Sequence, residues 1–263
     1  MYFNDSRKVL IYFAVKYDGD YLKMITALNN HDDLDISPEE VEKVCNSVTS
    51  KVITFLDYDY PRKLKYAFRP PLVLFYYGDI SLLDDRNHKY GVVGSRNCTE
   101  YGIAATNKIV GEMARNTVLV SGMARGIDTA GHIAQIENGG RTIAVLGSGI
   151  DNCYPPENIE LYEKLKKEHL VISEYPGMSE PASMHFPMRN RIVTGLSDAL
   201  LVPQIRTYRS GTMISINIML NLGRPIFVVP TPVEEHTINN DLLLEGAFFA
   251  KDGKEVLKEL KWE

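Results

Sequence analysis

The chain of 263 residues has three cysteines, one tryptophan and no apolar run long enough to span a bilayer. Each shortage excludes something. Cys45, Cys98 and Cys153 stand far apart, with no CxxC pair and no histidine at ligand spacing. Neither a disulfide scaffold nor a zinc site is supported, and small buried or half-buried thiols are expected. The N-terminus, MYFNDSRKVLIYFAVKYDGD, has no charged-then-apolar leader with a small-residue cleavage site, and its apolar stretch is broken by Lys16 and followed by acids. A cytoplasmic protein without membrane association is the expectation. Cofactor signatures are missing as well. GSGIDNCYPPEN (147–158) falls short of GxGxxG, no acid follows at ribose distance, and GxxxxGK[ST] does not occur, so no cofactor is assigned. His132, His185 and His236 are scattered without a legible nucleophile–base pairing, and no catalytic or metal-binding residue is assigned.

What the chain does have is an ordinary globular composition, 44% hydrophobic and 24% charged, and an uneven distribution of charge. The net charge of −5 argues against a polyanionic partner only at first sight. Residues 1–57 carry six Lys/Arg and ten Asp/Glu, whereas residues 184–230 carry five arginines and a single acid, Asp198. A local field focused in a cleft decides binding, not the sum.

Residues 6–30 show helical spacing of apolar side chains around a DGD turn, and ISPEEVEKVCNSV (36–48) opens with Ser37 as N-cap and Pro38 at the first helical position. Residues 1–50 are therefore read as a small helical module. VITFLDYDYP and PPLVLFYYGD follow as two short β pieces. From residue 90 onward strands such as YGVV, TVLVS, RTIAVL, LVIS, DALLV and PIFVV alternate with helices, RNRIVTGLS among them, and NNDLLLEGAFFA and GKEVLKELKWE supply a closing helix or two. The strands are short and nearly all apolar, as in a parallel sheet covered on both faces. The expected fold is α/β: an extended Rossmann-like, mostly parallel doubly wound sheet over residues 51–263, with its ligand site beyond the carboxyl ends of the strands.

Those ends carry the chemistry. VGSR, VSGMARGID, LGSGID, SEYP and VPQIRTYRSG bring glycines that expose backbone N–H groups, with Arg96, Arg125, Arg206 and Arg209 in or beside them. Arginine offers a planar fork suited to phosphate. One Gly-rich turn is as readily turn chemistry as a ligand loop; several on one sheet edge, each with Ser or Arg, point to an anion. HFPMRNRIVTGLS (185–197) adds Arg189 and Arg191, which at a spacing of two cannot share a helix face, so one is expected at the cleft and the other paired inside. Of the loop aromatics, Phe186 and Tyr175 are read as packing, while Tyr154 and Tyr208 are open to base stacking. Asp128 and Asp151, each in a GID step, are read as capping acids.

GSR (94–96), SGMARGIDTAGH (121–132), GSGIDNCYPPEN (147–158), SEYP (173–176), HFPMRNRIVTGLS (185–197) and RSGT (209–212) occur in this order, preceded by DYDYPRKLKYAFRPPLVLFYYGD. In this the chain resembles the DNA-processing protein A family (DprA, also called Smf) over most of residues 57–250. The resemblance implies a non-catalytic single-stranded DNA-binding protein of natural transformation, one that protects incoming strands, helps load the RecA recombinase and forms a homodimer through the later part of an extended Rossmann sheet. With the loop chemistry it nominates as DNA-binding residues Gly94, Ser95 and Arg96; Ser121, Gly122, Arg125 and Gly126; Gly147, Ser148 and Gly149; Arg189, Asn190 and Arg191; and Arg209 with Ser210. Arg125 is the foremost phosphate contact in this reading, with Asp128 bracing its turn.

The sequence departs from the family pattern at Gln204-Ile205, where many members have Glu-Ala, at Thr231, where a glycine is usual, before Asn239, where another glycine is lost, and at Pro156-Glu157, near which a basic residue is common. The sequence ends at KELKWE, so the winged-helix module of some members is not expected. Two other readings stand beside this one. A Rossmann-type nucleotide phosphoribohydrolase needs a catalytic Glu, but YRSGTMIS places Ser215 there; and the cleft could be vestigial in a structural dimer.

Overall fold

The computed structural model describes residues 5–32 and 36–263; residues 1–4 and 33–35, part of the stretch read as the N-terminal module, lie outside the described residues. Three helices come first: α1 (Ser6–Lys16), α2 (Tyr21–Asn29) and α3 (Pro38–Ser47). Asp5, Asp20 and Ser37 cap them by accepting from backbone N–H groups in the first turn, and Pro38 sits where a missing N–H costs nothing. β1 (Lys51–Thr54), the single turn α4 (Arg62–Lys65) and β2 (Val73–Gly78) follow. The alternating part then runs β3 (Lys89–Val92), α5 (Glu100–Met113), β4 (Val118–Ser121), α6 (Ile127–Glu137), β5 (Arg141–Val145), α7 (Ile159–Glu168), β6 (Leu170–Ser173), α8 (His185–Leu196), β7 (Ala199–Val202), α9 (Gly211–Asn221), β8 (Ile226–Val228), α10 (Asn239–Leu244), β9 (Phe248–Phe249) and α11 (Gly253–Leu260).

The nine strands form one sheet in the order β1-β2-β6-β5-β4-β3-β7-β8-β9. All neighbours from β6 to β9 are parallel, and β1 and β2 add an antiparallel edge beyond β6. The chain winds from β3 outward to β6, then returns to place β7 on the other side of β3. The strand order therefore reverses between β3 and β7, and the loops after these two strands diverge to leave a crevice. β4, β6 and β7 are buried along their whole length, which is why they read as unbroken apolar runs.

Val9, Leu10 and Phe13 of α1 share a buried cluster with Phe75 of β2, Ala144 of β5 and Tyr162 of α7. The N-terminal helices thus cover one face of the sheet and complete its core. Two sequence expectations change. α8 begins four residues before RNRIVTGLS, at His185, with Pro187 tolerated in its first turn. The FF of NNDLLLEGAFFA lies beyond the helix and forms the edge strand β9, where Phe227 pairs with Phe248 in the register and their rings lie 5.3 Å apart. No helix among the described residues is long and apolar enough to cross a membrane.

Candidate nucleic-acid interface

At the reversal point a cavity of about 320 Å³ opens between the loops after β3 and β7 and the first turn of α8. A second, of about 150 Å³, adjoins it on the side of the loops after β4 and β5. Arg96, Asn97, Ala124, Phe186 and Arg189 line both, so the two make one cleft.

Backbone bonds between loops fix its walls. Ser95 donates its N–H to the Gln204 carbonyl (2.9 Å), Ile127 N–H donates to Ser95 (3.3 Å), and the Thr212 hydroxyl donates to the Gly94 carbonyl (3.1 Å). The loop glycines serve these approaches. A Cβ on Gly94 would lie 2.6 Å from Ile127 and 2.8 Å from the Gln204 carbonyl, and one on Gly122 would overlap the Arg189 guanidinium. Asp128 accepts from the N–H groups of Gly122 (3.1 Å) and Ala124 (3.4 Å) and so holds the 122–124 turn, in which Met123 adopts a left-handed φ of 55°. Burial pushes the Asp128 carboxyl above its ordinary range; the neighbouring Arg189 charge and the two amides pull the other way.

The arginines divide into two sets. Arg189 is buried at the cleft floor and donates to the carbonyls of Gly122 and Val145 (2.7 Å) and to Asn190 Oδ1 (3.1 Å), while its Nη2 makes no bond to a described residue. Asn190 in turn donates to the Gly211 carbonyl (3.1 Å), tying α8 to the start of α9. Arg191 points to the opposite side. It is 3% exposed and forms a bidentate pair with buried Glu174, both contacts 2.6 Å, while its Nε donates to the Arg69 carbonyl (2.9 Å). The nomination of Arg191 as a DNA contact is therefore corrected: its donors are consumed inside the protein.

Arg96, Arg125, Arg206 and Arg209 form the exposed set. Arg96 lies over the Phe186 ring, 5.2 Å from its centroid, and Phe186 in turn meets Tyr154 at 5.7 Å. Phe186 thus faces the cleft as well as packing, since the spacing 186–189–190 puts it on the helix face of Arg189 and Asn190. Tyr175, by contrast, is buried and stacked on His185 at 3.9 Å. Arg206 reaches the Asn97 carbonyl (3.4 Å) and lines the larger cavity; Arg209 is exposed beyond the lining. Arg125 lines the smaller cavity but is paired with Glu157, Nη2 to Oε2 at 3.1 Å, a partner that the sequence reading did not identify.

Other nominated residues are structural. Ser121 donates to the Val92 carbonyl (2.6 Å) and Ser148 to the Asn152 carbonyl (2.6 Å); both are buried. Gly149 is buried with its N–H on the Ser179 carbonyl (2.8 Å), and Gly126, at φ 75°, makes the turn into α6. Burial corrects the nominations of Ser121, Ser148 and Gly149, while half-buried Gly126 lines neither cavity. Gly94, Ser95, Gly122, Gly147, Asn190 and Ser210 do line the cleft, Gly147 because a side chain there would meet Phe186 at 2.8 Å.

The departures at the later wall are absorbed by a polar network. Gln204 is fully buried; its Oε1 accepts from Thr99 N–H (2.8 Å), and its Nε2 donates to Thr99 Oγ1 (2.8 Å) and Glu235 Oε2 (3.1 Å). Asn239 bonds Ile205 N–H and the carbonyls of Pro203 and Val229, while Asn240 bonds both backbone groups of Thr231. The only carboxylate lining the cleft among the described residues is Asp128, committed to two amides, and Ser215 contributes a buried hydroxyl without a hydrogen-bond partner.

A sequence model of DNA recombination-mediator protein A matches residues 51–261. The chain belongs to that family. It is 38% identical over 211 residues to the DNA processing protein DprA of Streptococcus pneumoniae, covering 80% of this chain and 74% of the relative, and 39% identical over 204 residues to DprA of Bacillus subtilis, covering 76% and 68%. Among solved structures, the X-ray structure of DprA from S. pneumoniae aligns with a TM-score of 0.80 at 30% identity over 96% of each chain. DNA processing protein A from Helicobacter pylori, whose structure addresses its unique single-stranded DNA binding mode, aligns with a TM-score of 0.71 at 28% identity, over 81% of this chain and 96% of that one.

Proposed function

We propose that the chain is a non-catalytic, cytoplasmic single-stranded DNA-binding protein of natural transformation that shields incoming strands and helps to pass them to the RecA recombinase. The observation that carries this reading is the imbalance at the cleft: exposed Arg96, Arg206 and Arg209 have no carboxylate partner among the described residues, and aromatic rings stand beside them. Unpaired guanidinium groups suit a phosphate chain, and ring faces suit unpaired bases of any sequence. The single-stranded DNA binding of the H. pylori relative supports the same substrate.

A homodimer fits the later part of the sheet, where Leu220, Leu244 (89% exposed), Phe248 and Phe249 leave apolar surface around the edge strand β9. The phosphoribohydrolase reading gains no support, because Asp128 is held by backbone amides and Ser215 stands where a catalytic Glu is required.

The test is a fluorescence-anisotropy titration of oligo-dT against a duplex of the same length, repeated at several salt concentrations. Tighter binding of the single strand, a steep fall of affinity with salt and a smaller slope for Arg96→Ala are expected. An unchanged affinity in Arg96→Ala, or release of base or phosphate from nucleotides, overturns the reading.

A further inference from the structure

We infer that residues 62–69, together with Met184, form a second stacking track that carries a single strand onward after it leaves the cleft. This inference rests on the single-stranded DNA reading above and extends it to a surface outside the cavity lining.

Helix α8 supplies the link. Phe186, Arg189 and Asn190 face the cleft, while Met184, His185 and Met188, at the same turn, line a separate groove of about 130 Å³ with Arg69. The crest between the two is Met184, 71% exposed, and exposed Pro187. A strand crossing that crest meets Arg69 and then Phe68 and Tyr66, which are 70% and 87% exposed. Large aromatic rings so far out of the core forgo burial that would otherwise stabilise the fold, and such clusters mark interaction surfaces.

The segment is held firmly enough to present them. Leu64 is fully buried and packs toward Gly195 of α8, the Tyr60 hydroxyl donates to the Pro71 carbonyl (2.7 Å), and the Arg69 carbonyl receives Arg191 Nε. Arg69 takes a left-handed φ of 49°, a conformation disfavoured for a non-glycine residue, and its guanidinium lies 5.0 Å from the Phe68 ring centroid.

Charge selects the occupant. Arg62, Lys65 and Arg69 have no carboxylate within salt-bridge distance among the described residues, whereas Lys63 is paired with Asp198 at 2.5 Å. On the far wall of the groove the acids are engaged: Asp18 with the Ser179 hydroxyl, Asp20 with the N–H groups that open α2, and Glu174 with Arg191. A polyanion is thereby confined to the Arg69 side, over Phe68 and Tyr66. Lys65 rests over the Phe55 and Tyr60 rings (5.1 and 5.8 Å) and Arg69 over Phe68, so these cations keep a charge that no carboxylate among the described residues neutralises. With the exposed rings beside an arginine-rimmed cleft, they fit the bases and phosphates of a single strand.

The experiment compares oligo-dT of about 6 and about 20 nucleotides, the shorter sized for the cleft alone. The Lys65→Gln, Tyr66→Ala, Phe68→Ala triple variant changes a partly exposed lysine and two strongly exposed aromatics, and its fold is checked by thermal melting beside the parent. The expected result is a loss of about tenfold in affinity for the longer strand, with the shorter unchanged within about twofold. Equal affinity of parent and variant for the longer strand overturns the track and leaves the surface to a protein partner. An equal loss at both lengths also overturns it, because the segment is then part of the primary site. Arg96→Ala with the shorter strand tests the cleft separately: a loss there with no loss in the triple variant keeps the cleft and removes the track, whereas no loss there removes both.

Discussion

The floor and the rim of the cleft use the same side chain for opposite ends. At the floor Arg189, and behind it on the far side of α8 Arg191, are buried, and their guanidinium groups are bonded to carbonyls, to Asn190 and to Glu174. At the rim, Arg96, Arg206 and Arg209 are exposed and carry no ion pair among the described residues. A buried guanidinium is tolerated only when it is largely partnered, and the partnership leaves little for a ligand: nothing of Arg191, and of Arg189 only the Nη2 that lines the cleft. Arginine count alone therefore overstates the binding surface, and burial divides it.

The sharpest test of this division is Arg191→Met. It leaves Glu174 buried without its counter-charge and should cost about 3–5 kcal/mol of stability in urea denaturation, with much of the loss recovered when Glu174→Leu is added. Next comes acid. His132 is buried beneath the floor with Nδ1 2.7 Å from the Thr142 hydroxyl, and burial, reinforced by the charges of His169 and Arg189, lowers its pKa to about 3. A depressed histidine contributes stability above its ordinary value of 6.5, and that contribution is lost as pH falls toward 3. The buried histidine should therefore lower stability as pH falls from 6.5 toward 4, by an amount on the order of 3 kcal/mol. Asp128, shifted upward, changes stability in the opposite sense and offsets part of it. His132→Gln should show a smaller fall in melting temperature over this range than the parent does; an equal fall removes His132 as the cause.

At the rim the expected effects are on affinity. Arg96→Ala should melt with the parent but bind oligo-dT about tenfold more weakly, with a reduced salt slope. The smallest change is expected for Glu157→Gln. Freed of its surface ion pair, Arg125 should bind the strand about threefold more tightly, and a weaker complex would show that Glu157 orients Arg125 rather than competing for it.

The parallel part of the sheet was legible because short, doubly buried strands leave unbroken apolar runs, and Ser37-Pro38 announced α3 through its cap. The antiparallel edge was legible as two β pieces but not as a place in the sheet, since Phe75 pairs with Ser173 across almost a hundred residues. β9 was hidden because two residues carry no period. At the site, GSR and RSGT marked the crevice, and the spacing of Arg189 and Arg191 foretold that they part. The partner of each arginine was out of reach: Glu174 and Glu157 meet Arg191 and Arg125 only through the fold, and Phe186 beside proline gave no sign of which face its ring would show.

The seat of Arg189 against Gly122 bears on kinetics. The Arg189 guanidinium seated on that turn, with Asp128 gripping two of its amides, holds the 122–124 loop from two sides. If the proposed single-strand binding holds, this part of the surface is set before contact, and little ordering entropy should be spent on forming it. Encounter rates should follow the exposed cations and ionic strength, while residence times should follow how many bases the aromatic rings hold.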